Sequence, residues 1–281
     1  MLPKKISHIT VPPIKCQGIK TKLVSFIAEN IQWNGKGKWI EPFLGSGVVA
    51  FNIQPDSAIL SDTNEHIINL YQKIQQNTIT PQSVKETLRE MGSELEKDAA
   101  DYYYSIRKRF NAEKGPYDFL FLNRSCFNGL MRFNRKGEFN VPFGKKPFRF
   151  SKAYITKIVN QVRNIQQIIN GKDWIFIVQD WKLALQNVSK DDFVYLDPPY
   201  IGRHTDYFNS WDENEAINLS QISRSLPSRF ALSMWLENRY RSNDHINEFW
   251  DTSNLITKSH FYHVGPKETL RNSITEALVL K

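Results

Sequence analysis

The sequence predicts an α/β fold: a largely parallel, doubly wound sheet interrupted by one insertion. Three observations carry that reading. Short apolar runs recur and end on an acid or a glycine turn, segments of helical period alternate with them, and one basic, aromatic-rich stretch breaks the alternation between the second and third runs.

Taken in order, Leu23, Phe26, Ile27 and Ile31 line one face of a helix over residues 17–31. At its entrance Lys15-Cys16-Gln17-Gly18-Ile19-Lys20 places a glycine and two lysines where an anion can be held. Residues 38–41 read as a strand, Pro42-Phe43-Leu44-Gly45-Ser46-Gly47 as a tight turn, and 48–53 as a helix. Strand, glycine turn and helix in that order form the nucleotide-binding half of a doubly wound sheet, because glycines there let backbone approach a ligand. A second strand over 58–61 ends at Asp62. This acid is placed to accept hydrogen bonds from ribose hydroxyls, to cap the helix over 65–75, or to do both. No Gly-Lys-Ser/Thr follows a glycine turn, so the expected ligand has a ribose and no triphosphate.

Residues 81–113 read as a polar helix leading into the basic stretch. Residues 107–152 hold 12 Lys and Arg against 3 acids, while the whole chain has a formal net charge of +8, so the remainder is close to neutral. One basic region on a balanced chain is the footprint of a polyanion-binding surface. Within it, residues 119–143 read as a β-hairpin turning at Arg135-Lys136-Gly137-Glu138, with Phe119, Phe121, Phe133 and Phe139 as its core. Arg and Asn suit guanine and adenine edges, and aromatic rings can wedge into a base stack.

Helical spacing returns at Tyr154, Ile155, Ile158, Val159, Val162, Ile165 and Ile169, followed by a strand over 174–178 that ends at Asp180. The run Phe193-Val194-Tyr195-Leu196 is a buried strand that Pro198 and Pro199 must end, since neither has an N–H to donate. Asp197 is thereby delivered at a carboxyl-terminal sheet edge, with Tyr200 beside it. Further strands are expected over 230–234 and 276–280.

Composition bounds the class. Nowhere do eighteen uncharged apolar residues run together, and a soluble, cytoplasmic chain is expected. Cys16 and Cys126 are isolated, against a disulfide framework or thiolate metal site. Of the six histidines, His260 and His263 are close in sequence but lack a neighbouring acid or cysteine, so no metal is expected.

Glu41-Pro42-Phe43-x-Gly45-x-Gly47, the basic insert with Phe127-Asn128-Gly129, Phe139-Asn140-Val141-Pro142-Phe143 and Asp197-Pro198-Pro199-Tyr200 stand in one order along nearly the whole chain. That order resembles the Dam-type DNA adenine-N6 methyltransferases of the α group, which carry a DPPY motif. Gln17-Gly18-Ile19-Lys20, Asn123-Arg124-Ser125-Cys126 and Ile201-Gly202-Arg203-His204 look closest to modification methyltransferases of the EcoRV type. The resemblance implies an S-adenosylmethionine-dependent methyltransferase (Rossmann-like) sheet with a helical and β-hairpin target-recognition domain inserted between the second and third strands. The catalytic domain would comprise residues 1–75 and 171–281, and the recognition domain residues 76–170. Carried over by position, Lys20, Phe43, Gly45, Asp62, Asp180 and Asp197 surround S-adenosylmethionine, with Asp62 on its ribose. Lys15, Arg124, Phe127, Asn128, Leu130, Arg132, Pro142 and Lys145 face double-stranded DNA, with Arg132 reading guanine. The family's Trp-x-Gly-Gly-Lys opening stands here as Cys16-Gln17-Gly18-Ile19-Lys20, so the contact of that tryptophan does not carry over, whereas Lys20 does. The resemblance implies a palindrome of GATC or GATATC type, a cognate restriction endonuclease sharing the site, and no stable protein partner.

The chemistry of the residues agrees. An adenine amino nitrogen is a weak nucleophile because its lone pair is delocalised into the ring. The Asp197 carboxylate and Pro198 carbonyl can accept its hydrogens, and Pro199 stiffens the turn. Tyr200 can stack on a base flipped from the duplex, with Tyr207 or Phe208 on its other face. The same chemistry would serve adenine in RNA, and a DNA-binding regulator with a degenerate cofactor fold is the reading from another class.

Overall fold

In the computed structural model, residues 1–200, 211–238, 241–250, 252–261 and 273–281 are described. The parallel half of the sheet forms from runs that are apolar on both faces. β1 (Trp39–Glu41) and β4 (Phe193–Leu196) are buried at every residue, as strands covered on both sides must be. β2 (Ser57–Asp62) lies beside β1, and β3 (Asp173–Val178) beside β2, all parallel. On the other side of β1, β4 and then β5 (Arg229–Asn238) continue the parallel pairing. β8 (Ser273–Leu280) is antiparallel to β5, and β7 (Leu255–Phe261) is antiparallel to β8, while β6 (Arg241–Ser242) pairs with the end of β5. The order among the described residues is β3-β2-β1-β4-β5-β8-β7. The order reverses between β1 and β4, so their carboxyl ends flank the crevice in which such sheets bind ligands. Trp39 holds the two together, its ring stacked 5.3 Å from Phe193 and 5.9 Å from Tyr195.

Helices cover both faces at β1 and β4, whereas the edge strand β3 leaves Ile175, Ile177 and Val178 exposed. α1 (Val24–Asn30) is shorter than the helix expected over 17–31, because Gly18 takes a left-handed φ of 72° and the Leu23 and Val24 amides close a turn on the Lys20 carbonyl. Lys20 thus sits in a buried turn before the helix. α2 (Val48–Ile53) is buried throughout, and α3 (Glu65–Gln75) is capped by Asn64, not by Asp62, which leaves the Asp62 carboxylate to the crevice side.

Three α-helices and two short 3-10 turns separate α3 from β3 in the chain. α4 (Pro81–Glu113) starts on a Thr80/Ser83 capping box and breaks at Ala99, whose φ is 35°. α5 (Pro116–Ser125) and α6 (Lys152–Ile169) pack against it and against α3. One apolar cluster runs from Trp39 and Phe51 through Leu70 into Phe110, Phe121 and Ile158, so these helices share a core with the sheet. His66 at the start of α3 lies among Phe110, Phe119 and Phe133, and burial pushes its pKa down to about 4. On the opposite sheet face a second cluster joins Ile40, Val194 and Leu232 to α7 (Trp181–Ala184), α8 (Glu213–Ser225) and α9 (His245–Phe249).

The hairpin expected over 119–143 is corrected. Its first half is α5, begun by Gly115 and Pro116 with Asp118 in the first turn. Phe119-Leu120-Phe121-Leu122 is buried on all sides, and a run without period reads equally as a core strand or a core helix. Only the second half folds back on itself, through bridges Cys126 to Phe143 and Phe133 to Phe139 and a turn in which Asn134 N–H donates to the Glu138 carbonyl at 2.9 Å. Phe119, Phe121, Phe133 and Phe139 are all buried. The strand expected over 276–280 starts at Ser273 and that over 230–234 spans Arg229–Asn238, while β7 was not anticipated.

Candidate active site

The glycine turn after β1 is fixed from below. Gly45 (φ 49°) and Gly47 (φ 72°) are both left-handed, and a Cβ on Gly47 would stand 2.5 Å from the Phe51 ring. The Gly45 amide donates to Asp62 Oδ2 at 2.8 Å, the Asn64 amide to Asp62 Oδ1 at 2.9 Å, and Tyr71 Oη to the Ser46 carbonyl at 2.6 Å. Burial raises the Asp62 pKa, opposed by the amides of Asn64, Gly45 and Thr63. Each Asp62 oxygen keeps a lone pair for a hydroxyl. Asp180 caps α7 by accepting from the Lys182 amide at 2.8 Å, and the half-buried Phe43 ring meets Trp211 edge-on at 5.5 Å. Two edge acids, an aromatic face and a half-buried glycine backbone are a donor and acceptor set that fits a nucleoside-bearing methyl donor.

Across the crevice stands Asp197, its side chain 23% exposed. Lys20, 3% exposed, places Nζ 3.0 Å from Asp197 Oδ1 and donates to Tyr200 Oη at 2.8 Å, with Glu276 Oε2 at 3.8 Å. Burial raises the Asp197 pKa, opposed by the Lys20 charge and by hydrogen bonds from Lys20 and Ser233. Burial works against the Lys20 charge too, but Asp197, Tyr200 and Glu276 outweigh it and hold its pKa well above the ordinary value. Ser233 also shares a 2.7 Å hydrogen bond with Tyr195 Oη. Glu41 is buried on Trp39 Nε1 at 3.0 Å, and burial pushes its pKa up to about 8. Cys16 lies near Asp62, Asp197 and Lys20, and burial raises its thiol to about 12, so it is a poor nucleophile.

The residues expected to face DNA fall mainly on the loop after α5. Phe127 is 48% exposed and its amide donates to the Pro142 carbonyl at 2.9 Å. Asn128 and Lys145 are exposed, as is Pro142, while Leu130 and Arg132 are half-buried. Arg132 Nε donates to Asn140 Oδ1 at 2.8 Å, which orients the guanidinium. Lys15 joins this loop because Asn123 bonds both its amide (2.7 Å) and its carbonyl (2.9 Å), and its stem lies across Gly129. Arg124 is the exception. It is 5% exposed, bonds Gln161 Oε1 at 2.6 Å and lies over the Tyr154 ring, because α5 turns that position inward. Its expected place facing DNA is therefore corrected. Arg149 was not anticipated; it stacks on Tyr154 at 4.1 Å beside Lys15 and Arg124. Ser233 and Glu276 were missed as well, although an acid inside the apolar run of β8 is a signal in itself. Tyr207, Phe208, residues 201–204 and His263 lie outside the described residues. Among the described residues, no group of three or more His, Cys, Asp or Glu could hold a metal, and no helix is long and apolar enough to cross a membrane.

A parallel sheet whose reversal point carries a glycine turn, one edge acid bound to that turn and a second on a proline-stiffened corner defines an α/β enzyme of the methyltransferase type. Residues 17–264 match the family described as D12 class N6 adenine-specific DNA methyltransferase, and the chain belongs to that family. It is 32% identical over 253 residues to the Type II methyltransferase M.MjaIII of Methanocaldococcus jannaschii, covering 82% of this chain and 84% of the relative. A DNA adenine methylase of Haemophilus influenzae is 30% identical over 247 residues, covering 84% of this chain and 82% of its own, and that of Escherichia coli K12 is 32% identical over 202 residues, covering 68% of each. The chain is thus an adenine-specific DNA methyltransferase of the D12 class.

Proposed function

We propose that the enzyme transfers a methyl group from S-adenosylmethionine to N6 of an adenine flipped out of duplex DNA, within a short palindrome of GATC or GATATC type. One observation supports this above the rest: Asp197, on its Pro198-Pro199 corner, stands across one crevice from the Gly45 turn and Asp62. The methyl donor, when bound, supplies a methyl carbon activated by a sulfonium. The chain's own residues supply position and electrostatics. Gly45 and Asp62 form the seat for its ribose half, with Phe43 and Asp180 beside it. The Asp197 carboxylate and the Pro198 carbonyl accept the amino hydrogens and draw the nitrogen lone pair out of the ring plane. As the nitrogen gains positive charge, Asp197 stabilises it and takes the proton it loses. Tyr200 stacks on the base, and before the base arrives Lys20 donates to its hydroxyl. Residues 76–170 with Lys15 present the duplex, Arg132 reading guanine and Phe127, Asn128, Leu130, Pro142 and Lys145 holding the site. The name of the M. jannaschii relative supports a modification role alongside a restriction endonuclease.

Methylation-sensitive sequencing of DNA from an expressing host, with calorimetry of S-adenosylmethionine binding, tests the reading. One short sequence should carry N6-methyladenine and the donor should bind. Methyl uptake by RNA instead of DNA, or no donor binding, would replace it.

A further inference from the structure

Glu276 has no part in the mechanism above, yet its position calls for one. It stands on β8 opposite Trp235 of β5, is 9% exposed, and precedes three buried apolar residues, Ala277, Leu278 and Val279. Oε1 is 3.9 Å from His260 Nε2, and Oε2, 3.8 Å from Lys20 Nζ, makes no hydrogen bond among the described residues. A buried carboxylate oxygen left without a donor is unfavourable. The ammonium that could satisfy it is within a short movement, held instead on Asp197 at 3.0 Å and Tyr200 at 2.8 Å.

We propose that Glu276 is a positioning residue that acts through Lys20. The ammonium has two seats: the observed one on Asp197 and Tyr200, and a second on Glu276, taken when the amino group of the target base reaches Asp197. This deepens the adenine-N6 reading and rests on it. The ammonium and the amino hydrogens compete for one carboxylate, and an acceptor already bonded to a cation accepts more weakly. Moving Lys20 to Glu276 satisfies the unpartnered oxygen and restores Asp197 as an acceptor. Lys20, Asp197 and Glu276 together sum to one negative charge, which favours positive charge developing on N6. Lys20 and Cys16 face Asp197 from the segment before α1, as do Glu41 from β1 and Tyr195 and Tyr200 from either side of it, with Glu276 on β8 and His260 beyond.

Glu276→Gln keeps the shape and removes the charge. The variant should melt near the wild type and bind duplex DNA as well, while single-turnover methylation falls on the order of tenfold. The acid limb of its rate profile should move to lower pH, because the Glu276 charge is one of the influences raising the Asp197 pKa. Without methyl donor, the preference for a duplex with adenine over purine, which lacks the amino group, at the mapped target position should shrink. In a Lys20→Met background, Glu276→Gln should cause no further loss. An unchanged rate with an unmoved acid limb, or the same fold loss with Lys20 already gone, would overturn the proposal. Wild-type turnover on adenine DNA, the control in each arm, separates its failure from failure of the underlying reading.

Discussion

Around Asp197, buried charges face each other at close range: Lys20 lies 3.0 Å from Asp197 and 3.8 Å from Glu276. On the basic surface the arrangement is reversed. Lys15, Lys146 and Arg149 gather over the buried Arg124 with no ion pair to a carboxylate among the described residues, and burial, then Arg149, Arg124 and Lys146, push the Lys15 pKa down to about 8. A half-buried cation without a counter-charge is unfavourable, and a polyanion would relieve it. On the proposed function, the centre for chemistry carries its counter-ions in the fold, whereas the docking surface leaves them to the partner. The difference teaches where each region's charge is neutralised, and substitutions should separate the two.

The largest separation comes from Asp197→Ala. Methyl transfer to duplex oligonucleotides should fall by about 10³-fold or more, with DNA affinity in a gel shift unchanged; undiminished turnover would remove Asp197 from the mechanism. Lys20→Met should lower the rate by roughly tenfold to a hundredfold. Its acid limb should move to higher pH, because the Lys20 cation opposes the rise in the Asp197 pKa, and a limb moving the other way would contradict the pairing. Arg132→Ala tests the other region and should relax selectivity at one base pair by roughly 1–3 kcal/mol in competition binding. Equal losses on cognate and non-cognate duplexes would deny it a base-reading role.

The smallest effect is expected from Arg149→Ala, which should weaken all duplexes alike and reduce the slope of log affinity against log salt by about 1. Lys15 adds a sign. With its free pKa at about 8, DNA binding should take up protons above that pH and weaken as pH rises further. Calorimetry in two buffers of different ionisation enthalpy would detect the uptake, and identical heats would place Lys15 away from phosphate.

The same contrast explains what the sequence discloses. β1, β2 and β4 are legible because each is a short apolar run closed by glycine, acid or proline, a local signal. Asp197 and Asp62 are legible for the same reason, since their position at strand ends follows from the runs before them. α5 is not, because Phe119-Leu120-Phe121-Leu122 has no period to distinguish helix from strand, and Arg124, expected from the resemblance to face DNA, lies on its buried side. Nor is the partnership of Lys20 with Glu276, which lie most of the chain apart and meet only once β8 pairs with β5. Local pattern gives elements and their ends, whereas a counter-ion contributed from a distant strand becomes visible only in three dimensions.

That pairing also bears on how the protein is made. Among the described residues β8 comes after every other strand, yet it lies inside the sheet, between β5 and β7. During synthesis the ribosome releases the Gly45 turn, Asp62 and the whole basic surface first, while Glu276 and its strand remain in or near the exit tunnel. The antiparallel half of the sheet can close only after Leu280 has emerged, so until then the nascent chain lacks one of the three charges gathered at Lys20. Docking of β8 is thus the step that brings Glu276 beside Lys20 and Asp197.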